Sequence, residues 1–78
     1  MHVPISLSAL KQGDVAHVCE VVGPIERTRR LKELGFRAGA RLEVLQAGSP
    51  CIVRIDGSKL CFRDGELASV LVQPRMSA

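Results

Sequence analysis

Hydrophobic and polar residues alternate with a period of two through much of the second half of the chain. Leu42 and Val44 alternate with charged residues, and Val53 and Ile55 repeat the pattern after a turn signal at Ser49-Pro50. Because successive side chains of a β-strand point to opposite faces of a sheet, this period predicts two short strands, each with one buried face.

Further turn signals divide the rest of this half into short strands. Asp56-Gly57 predicts a tight hairpin, after which Leu60 and Phe62 lie on a third strand. A second tight turn at Arg63–Glu66 precedes a last strand over Ala68–Val72.

The first half of the chain predicts one strand and a short N-terminal turn. Residues 14–22 are rich in β-branched residues, with Ala16 and Val18 on one face. The irregular alternation after Val18 predicts a bulge or bend. Residues 6–10 predict a helical turn whose leucines close one end of the core.

A helix is predicted over Pro24–Leu34. Proline suits the first turn, where its missing N–H group is not needed, and Gly35 is placed to end the helix in a left-handed conformation. At about 100° per residue, Arg27, Leu31 and Leu34 share one face. Since only two leucines anchor this face, we expect the helix to cap a sheet rather than join a bundle.

These elements predict a mainly β fold, a small five-stranded barrel with one short α-helix between the first and second strands. Closure of a small sheet removes the unpaired edges that an open sheet would expose. The length of 78 residues allows one domain, residues 1–78.

Composition excludes several classes of protein. A chain with 46% hydrophobic residues and this length needs nearly all of them for its core, so an enzyme with a deep pocket is not expected. The two aromatic residues, Phe36 and Phe62, are too few to stack nucleic-acid bases. No apolar run approaches the roughly 18 residues of a membrane span, and no secretory signal is visible. We therefore expect a binding or regulatory module.

The cysteines indicate the compartment. Cys19, Cys51 and Cys61 are an odd number without CxxC spacing. That arrangement favours reduced thiols over a disulfide framework, and a cytoplasmic location is expected.

The segment Arg30–Val44 reads R-L-K-E-L-G-F-R-A-G-A-R-L-E-V. Its R-L-x-E-L-G-[apolar]-x-x-G-x-x-[apolar]-x-V pattern resembles the FeoA family, small cytosolic proteins of bacterial ferrous iron transport. The pattern V-x-I-x-G-x-x-L-x-F-R over Val53–Arg63 and A-x-x-L-V over Ala68–Val72 resemble the rest of that domain. The resemblance covers about residues 6–73.

The resemblance implies an SH3-like barrel and a role in ferrous iron uptake beside FeoB, a large membrane permease with a cytosolic GTP-binding domain. It does not imply catalysis. The same domain resembles the C-terminal module of iron-dependent transcriptional repressors, but this chain has no room for the helix-turn-helix of those proteins.

The residues of the pattern are interpreted as architecture first. Gly35 allows a positive φ after the helix, Phe36 turns inward as an anchor beside Leu31 and Leu34, and Gly39 permits the turn into the next strand. No GxxxxGK[ST] or GxGxxG motif occurs, so nucleotide binding by this chain alone is not expected.

Positive charge is concentrated in one segment. Residues 27–41 carry six cations and one acidic residue, a net +5 in a chain of net +3. An ordinary solvated helix face with Glu26–Arg30 and Arg29–Glu33 pairs is one interpretation. A second is an electropositive patch that meets an acidic protein surface or anionic lipid headgroups. A third is RNA or DNA binding, in which six cations without aromatic residues could hold phosphates but read little sequence. Arg27, with its stem packed beside the leucines, is the best single candidate for a contact.

Some apolar residues fall on the outer face of the predicted strands. Either the N-terminal segment covers Leu45, Ile52 and Leu71, or they form a patch that binds a protein. An edge strand could also accept a partner strand. The predicted partner-binding residues are Arg27, Arg29, Arg30, Lys32, Arg37, Leu45, Ile52 and Leu71.

Metal binding has weak candidates in His2, His17 and Cys19, with Asp14 and Glu20 nearby in sequence. Ferrous iron favours imidazole and carboxylate, and zinc also accepts thiolate. The usual ligand spacings are absent, so His17 is interpreted as a surface strand residue. The sequence therefore predicts no firm cofactor, and the candidate ions are Fe²⁺ and adventitiously bound Zn²⁺.

The sequence thus predicts a non-enzymatic accessory protein that docks on the cytosolic region of an FeoB-type permease. It would be a monomer or weak homo-oligomer, cytoplasmic or held at the inner face of the membrane by its partner, without nucleic acid. Two alternatives stay open: a small carrier of iron or zinc, and a repressor-like domain that binds another protein or nucleic acid.

Overall fold

Residues 3–63 and 65–74 are described by a computed structural model. Within them the chain forms one 3₁₀ turn, one α-helix and six strands in a single antiparallel sheet of order β1-β6-β2-β3-β4-β5. The elements in chain order are β1 (Ile5–Ser6), the 3₁₀ turn (Leu7–Ala9), β2 (Val15–Val21), α1 (Ile25–Glu33), β3 (Arg41–Gln46), β4 (Cys51–Ile55), β5 (Ser58–Phe62) and β6 (Val70–Pro74).

The predicted mainly β, SH3-like architecture is confirmed, with two corrections. Strands β1 and β5 do not pair with each other in the described residues, so the sheet curls without closing into the predicted barrel. The second correction is the number of strands. The described residues form six strands, and the additional one is the two-residue β1, in which Ile5 lies opposite Val72 of β6. Two residues are too few to show alternation, so this strand had no signal in the sequence. The α-helix consequently lies between the second and third strands.

The sheet curls around a single core. Inward residues of five strands join one buried cluster, and the 3₁₀ turn closes it with Leu7 and Leu10, as predicted. Its members are Leu7, Leu10, Ala16, Val18, Leu31, Phe36, Leu42, Val44, Val53, Ile55, Phe62, Leu67, Val70 and Val72.

Strand β2 bends where its alternation fails. Its register against β6 shifts between Val18 and Glu20, which is the predicted bulge. A bulge sharpens the local twist, and this lets β2 pair with both β3 and β6 as the sheet curls.

Helix α1 ends in a Schellman motif that directs the chain into the core. The Phe36 N–H group donates to the Leu31 carbonyl at 3.0 Å, and the Gly35 N–H group to the Lys32 carbonyl at 3.0 Å. Gly35 has a φ of +115°, which side-chain-bearing residues rarely adopt. Phe36 is thereby placed edge-on to Phe62, with ring centroids 5.7 Å apart.

Several boundaries differ from the predictions by one or two residues. Pro24 caps the helix instead of forming its first turn, and β6 begins at Val70 instead of Ala68. Ala68 lies in a tight turn in which the Ala68 N–H group donates to the Gly65 carbonyl at 3.2 Å. That turn buries Leu67, a core residue that alternation could not reveal.

In the described part of the chain, no helix combines the length and apolarity that a membrane crossing requires.

Candidate functional site

The basic segment, residues 27–41, carries four of its cations on α1, and these four are exposed and lie on two sides of the helix. Arg29 and Lys32 line one groove, and Arg27 and Arg30 line another. Both pairs have a spacing of three residues, which places the members of a pair on the same side of a helix. The single basic face predicted from the sequence is therefore two separate surfaces.

The first surface is a shallow groove of about 380 Å³, here called the helix groove. It is lined by Ile25, Thr28, Arg29, Lys32, Glu33 and Arg37. Ile25 is 70% exposed, an unusual position for a large aliphatic side chain. The Thr28 hydroxyl group donates to the Ile25 carbonyl at 3.0 Å, so its polar hydrogen is already used inside the helix.

The second surface, the Arg27 groove, has a volume of about 200 Å³. Arg27 and Arg30 line it together with Leu31, Phe62 and Glu66. Arg27 thus lies beside core leucine and phenylalanine side chains, as its position on the helix indicated, and a carboxylate shares its groove. The role predicted for Arg27 as a contact residue stays a prediction.

No salt bridge neutralises the cations of residues 27–41 in the part of the chain that the structure describes. Among residues 3–63 and 65–74 one salt bridge forms, between the Arg54 Nη1 and Glu43 Oε1 atoms at 4.0 Å. It joins neighbouring strands far from the helix in sequence. The Glu26–Arg30 and Arg29–Glu33 pairs expected of an ordinary helix face are not formed within that distance in this part of the chain.

The three outward apolar residues do not form one patch. Leu45 and Ile52 are neighbours, since Ile52 lies opposite Gln46 across the bulge that contains Leu45. Leu71 lies opposite Ser6 and Glu20, and polar residues of β2 and β3 separate it from Leu45. By register it is about six residues, or ~20 Å, away from Leu45 along the strand direction.

The N-terminal strand runs beside only one of these residues. Ser6 of β1 lies opposite Leu71 of β6, and β1 pairs with neither β3 nor β4 among the described residues. All three side chains are half-buried. Their predicted role in binding a partner stays a prediction.

The candidate metal ligands are not assembled into a site. His17 is exposed on β2 between Arg41 and Gln73, and Cys19 lies in the bulge, with its thiol 4.0 Å from the His17 carbonyl oxygen. No three His, Cys, Asp or Glu residues come together anywhere in the described ranges, whereas zinc sites use three or four such ligands. These residues do not fit a built metal centre. His2 lies outside the described residues.

Two of the thiols are neighbours on adjacent strands. Cys51 lies opposite Phe62, and Cys61 lies opposite Ile52, so the two cysteines are diagonal neighbours that point to opposite faces of the sheet. A disulfide between them would require backbone movement. Burial, and secondarily the charge of Cys61, raises the pKa of the Cys51 thiol.

This difference predicts unequal reactivity. A raised pKa lowers the thiolate fraction at any pH below it, and the thiolate is the nucleophile. We expect iodoacetamide at neutral pH to label exposed Cys61 several-fold faster than half-buried Cys51, measured by peptide mass spectrometry. In urea the two rates should converge. Faster labelling of Cys51 in the folded protein would contradict the placement of this thiol.

The sequence interpretation missed Ile25 as a surface residue. Ile25, Thr28, Arg29 and Lys32 follow the i, i+3, i+4, i+7 spacing of one helix face, which differs from the face that carries Leu31. Ile25 is therefore the one aliphatic residue in an otherwise polar stripe. The helical spacing of these residues was therefore enough to predict that Ile25 lies on the exposed face.

Comparison with known proteins agrees with the pattern in the sequence. The family model described as FeoA domain matches residues 5–74. The solution structure of the FeoA protein from Chlorobium tepidum is 37% identical, with a TM-score of 0.81 over 90% of this chain and 70% of that chain. No curated protein matches the sequence.

Two further solved structures share the fold. Stenotrophomonas maltophilia FeoA, crystallised with zinc and described as a prokaryotic SH3 domain protein and a candidate activating factor of ferrous iron transport, is 28% identical. Its TM-score is 0.78, over 87% of this chain and 88% of that chain. A manganese-dependent transcriptional repressor, 19% identical, has a TM-score of 0.84 over 96% of this chain and 44% of its own, which shows a common fold. The chain belongs to the FeoA domain family.

Proposed function

We propose that this protein is a non-enzymatic accessory protein of bacterial ferrous iron uptake that docks on the cytosolic region of an FeoB-type permease. Membership of the FeoA family and the description of the Stenotrophomonas relative as a candidate activating factor of ferrous iron transport support the iron-uptake role. Docking would hold the protein at the inner face of the membrane through its partner.

The observation that carries the docking proposal is the exposure of the helix cations, none of which forms a salt bridge among the described residues. Arg27, Arg29, Arg30 and Lys32 lie in nine residues of helix, and no salt bridge engages them in the described part of the chain. Like charges three residues apart destabilise a helix by roughly 0.2–0.5 kcal/mol per pair. Arg30 and Lys32 offset part of this cost, because they lie in the last turn and interact favourably with the helix dipole. An acidic partner surface would relieve the remaining repulsion.

Docking can regulate a transporter without any chemistry on this chain. A bound protein shifts a conformational equilibrium only by its difference in affinity for the two states. A permease conformation that presents an acidic surface to the basic helix would be favoured over one that hides it. Such a mechanism needs a rigid scaffold, which the single buried core supplies.

Charge neutralisation tests this proposal. We expect Arg27→Gln/Arg29→Gln/Arg30→Gln/Lys32→Gln to weaken binding to the isolated cytosolic region of the permease by about tenfold or more, because each exposed ion pair contributes up to about 1 kcal/mol. Calorimetric titration at low and at raised salt measures the affinity, and the variant should also show the flatter salt dependence. Glutamine is nearly as good a helix former as arginine, so the helix should persist.

The matched control is Lys11→Glu/Lys59→Glu, which changes the net charge by the same amount at exposed positions outside the helix. It should bind within about threefold of the wild type, because charges beyond a Debye length of about 10 Å are largely screened. Absence of wild-type binding, or an equal loss in the control, would refute docking through the basic helix.

A further inference from the structure

We propose that the helix groove is the docking site for an acidic segment of a protein partner that places one apolar side chain against Ile25. The inference rests on the proposed function, because it names which of the two basic surfaces the partner contacts and what chemistry that partner carries.

The shape and composition of the helix groove are those of a small binding site. Its volume of about 380 Å³ falls at the lower end of the range for ligand sites, about 300–1,000 Å³. Ile25 supplies an exposed aliphatic surface at the N-terminal end of the groove, and Arg29, Lys32 and Arg37 line the groove from there onward. An apolar contact flanked by charged groups is common in protein interfaces.

The charge of the groove selects an acidic occupant. Three cations and Glu33 line it, a net charge of +2, and none of the four forms a salt bridge in the ranges that the structure describes. Arg37 also lines a neighbouring groove of about 320 Å³, together with Arg41 and Asp56, so the net charge of that groove is +1. The net positive surface therefore continues from the helix toward β3, which suits an extended acidic segment.

Other anionic partners fit less well. A lipid surface binds a helix through a broad apolar face, whereas α1 exposes one large aliphatic side chain, Ile25. Basic side chains can hold nucleic-acid phosphates, but base stacking needs exposed aromatic residues, and both aromatic residues of this chain are buried in the core. A peptide with carboxylates around one leucine-like residue matches both features of the groove.

The Arg27 groove lacks this combination. Its cations share the surface with Glu66, and its apolar residues, Leu31 and Phe62, are 4% and 6% exposed. It therefore offers little apolar surface to a partner. Since both grooves lie on one helix, they supply a matched comparison.

The decisive experiment compares Arg29→Glu/Lys32→Glu with Arg27→Glu/Arg30→Glu, which carry the same charge change on the same helix. We expect the first pair to weaken binding to the cytosolic region of the permease by about tenfold or more, and the second by less than about threefold. Ile25→Ser should weaken it by about tenfold without changing the charge. Because these side chains are exposed, the variants should fold.

A second probe separates failure of the groove from failure of the permease assignment. A glutamate-rich peptide of about 15 residues with one central leucine should shift the amide resonances of residues 25–37, and its serine-for-leucine twin should bind more weakly. The Arg29→Glu/Lys32→Glu variant should lose this response. Peptide binding without permease binding would refute the proposed partner and support the groove.

Three results would contradict the proposal that the helix groove is the docking site. One is a larger loss in Arg27→Glu/Arg30→Glu than in Arg29→Glu/Lys32→Glu, which would keep permease docking and move it to the other surface. Another is no effect of Ile25→Ser with either probe. The third is binding to phosphatidylglycerol vesicles with the same dependence on Arg29 and Lys32 while the peptide does not bind, which would assign the surface to lipid.

Discussion

Phe36→Ala is expected to lower the free energy of unfolding by about 3–5 kcal/mol, the range for truncation of a fully buried phenylalanine. Phe36 is 0% exposed and packs edge-on against Phe62. The truncation removes apolar burial and an aromatic pair, and it leaves a cavity in a core with few residues to fill it. Urea denaturation followed by circular dichroism measures the change.

The size of this effect matters because the domain is small. At about 0.05–0.15 kcal/mol per residue, a protein of 78 residues has roughly 4–12 kcal/mol of stability. Phe36→Ala would therefore leave the chain close to unfolding. Phe36→Leu, which keeps most of the apolar volume, should lose less, and exposed Ile25→Ser should change stability by no more than about 0.5 kcal/mol. A loss below about 1 kcal/mol for Phe36→Ala would contradict the central position of this ring.

Gly35→Ala is expected to destabilise the protein by about 1–3 kcal/mol, or several degrees or more in Tm. Two causes combine at this position. The φ of +115° strains any residue with a Cβ atom, and that atom would lie 3.4 Å from the Asp56 Cβ and 3.9 Å from two Ile55 side-chain carbons. The close approach joins the end of α1 to the β4–β5 hairpin and leaves an added Cβ in van der Waals contact with it, without spare room.

Gly39→Ala is the matched comparison for Gly35. Gly39 also has a positive φ, +90°, but a Cβ there meets no atom within 4 Å. It should therefore cost the backbone strain alone, and less than Gly35→Ala. Thermal unfolding of the two variants side by side measures the difference. Equal losses would show that contact with Asp56 and Ile55 adds nothing.

Local patterns were sufficient to predict most of the secondary structure. The alternation of Leu42 with Val44 and of Val53 with Ile55 predicted β3 and β4, and Asp56-Gly57 predicted the hairpin to β5. These signals depend on neighbours in sequence, because side-chain direction and turn conformation are local properties. The helix and its Schellman end at Gly35 followed for the same reason.

The elements that sequence reasoning missed depend on partners far along the chain. Strand β1 exists because Ile5 and Ser6 pair with β6, more than sixty residues away. Leu67 is buried because its tight turn folds back over the core. Neither has a periodic signal, since two residues or one turn are shorter than any repeat.

The candidate site shows the same division. The concentration of cations in residues 27–41 was evident from the sequence, and so was the position of Arg27 beside Leu31. The structure separated the cations into two grooves and placed Leu71 away from Leu45 and Ile52. Strand register and the packing of the helix against the sheet decide these distances.

By itself the sequence determined the mainly β fold, the capped helix, the basic segment and the membership of the FeoA family, because each depends on the spacing of residues that are close in sequence. Only the tertiary structure decided which cations share a groove, that Ile25 lies exposed among three of them, and that His17 and Cys19 gather no third ligand in the described residues. A surface is made of residues that the fold brings together from different elements. Its shape and charge therefore follow from packing, and packing cannot be predicted from the periodicity of residues along the chain.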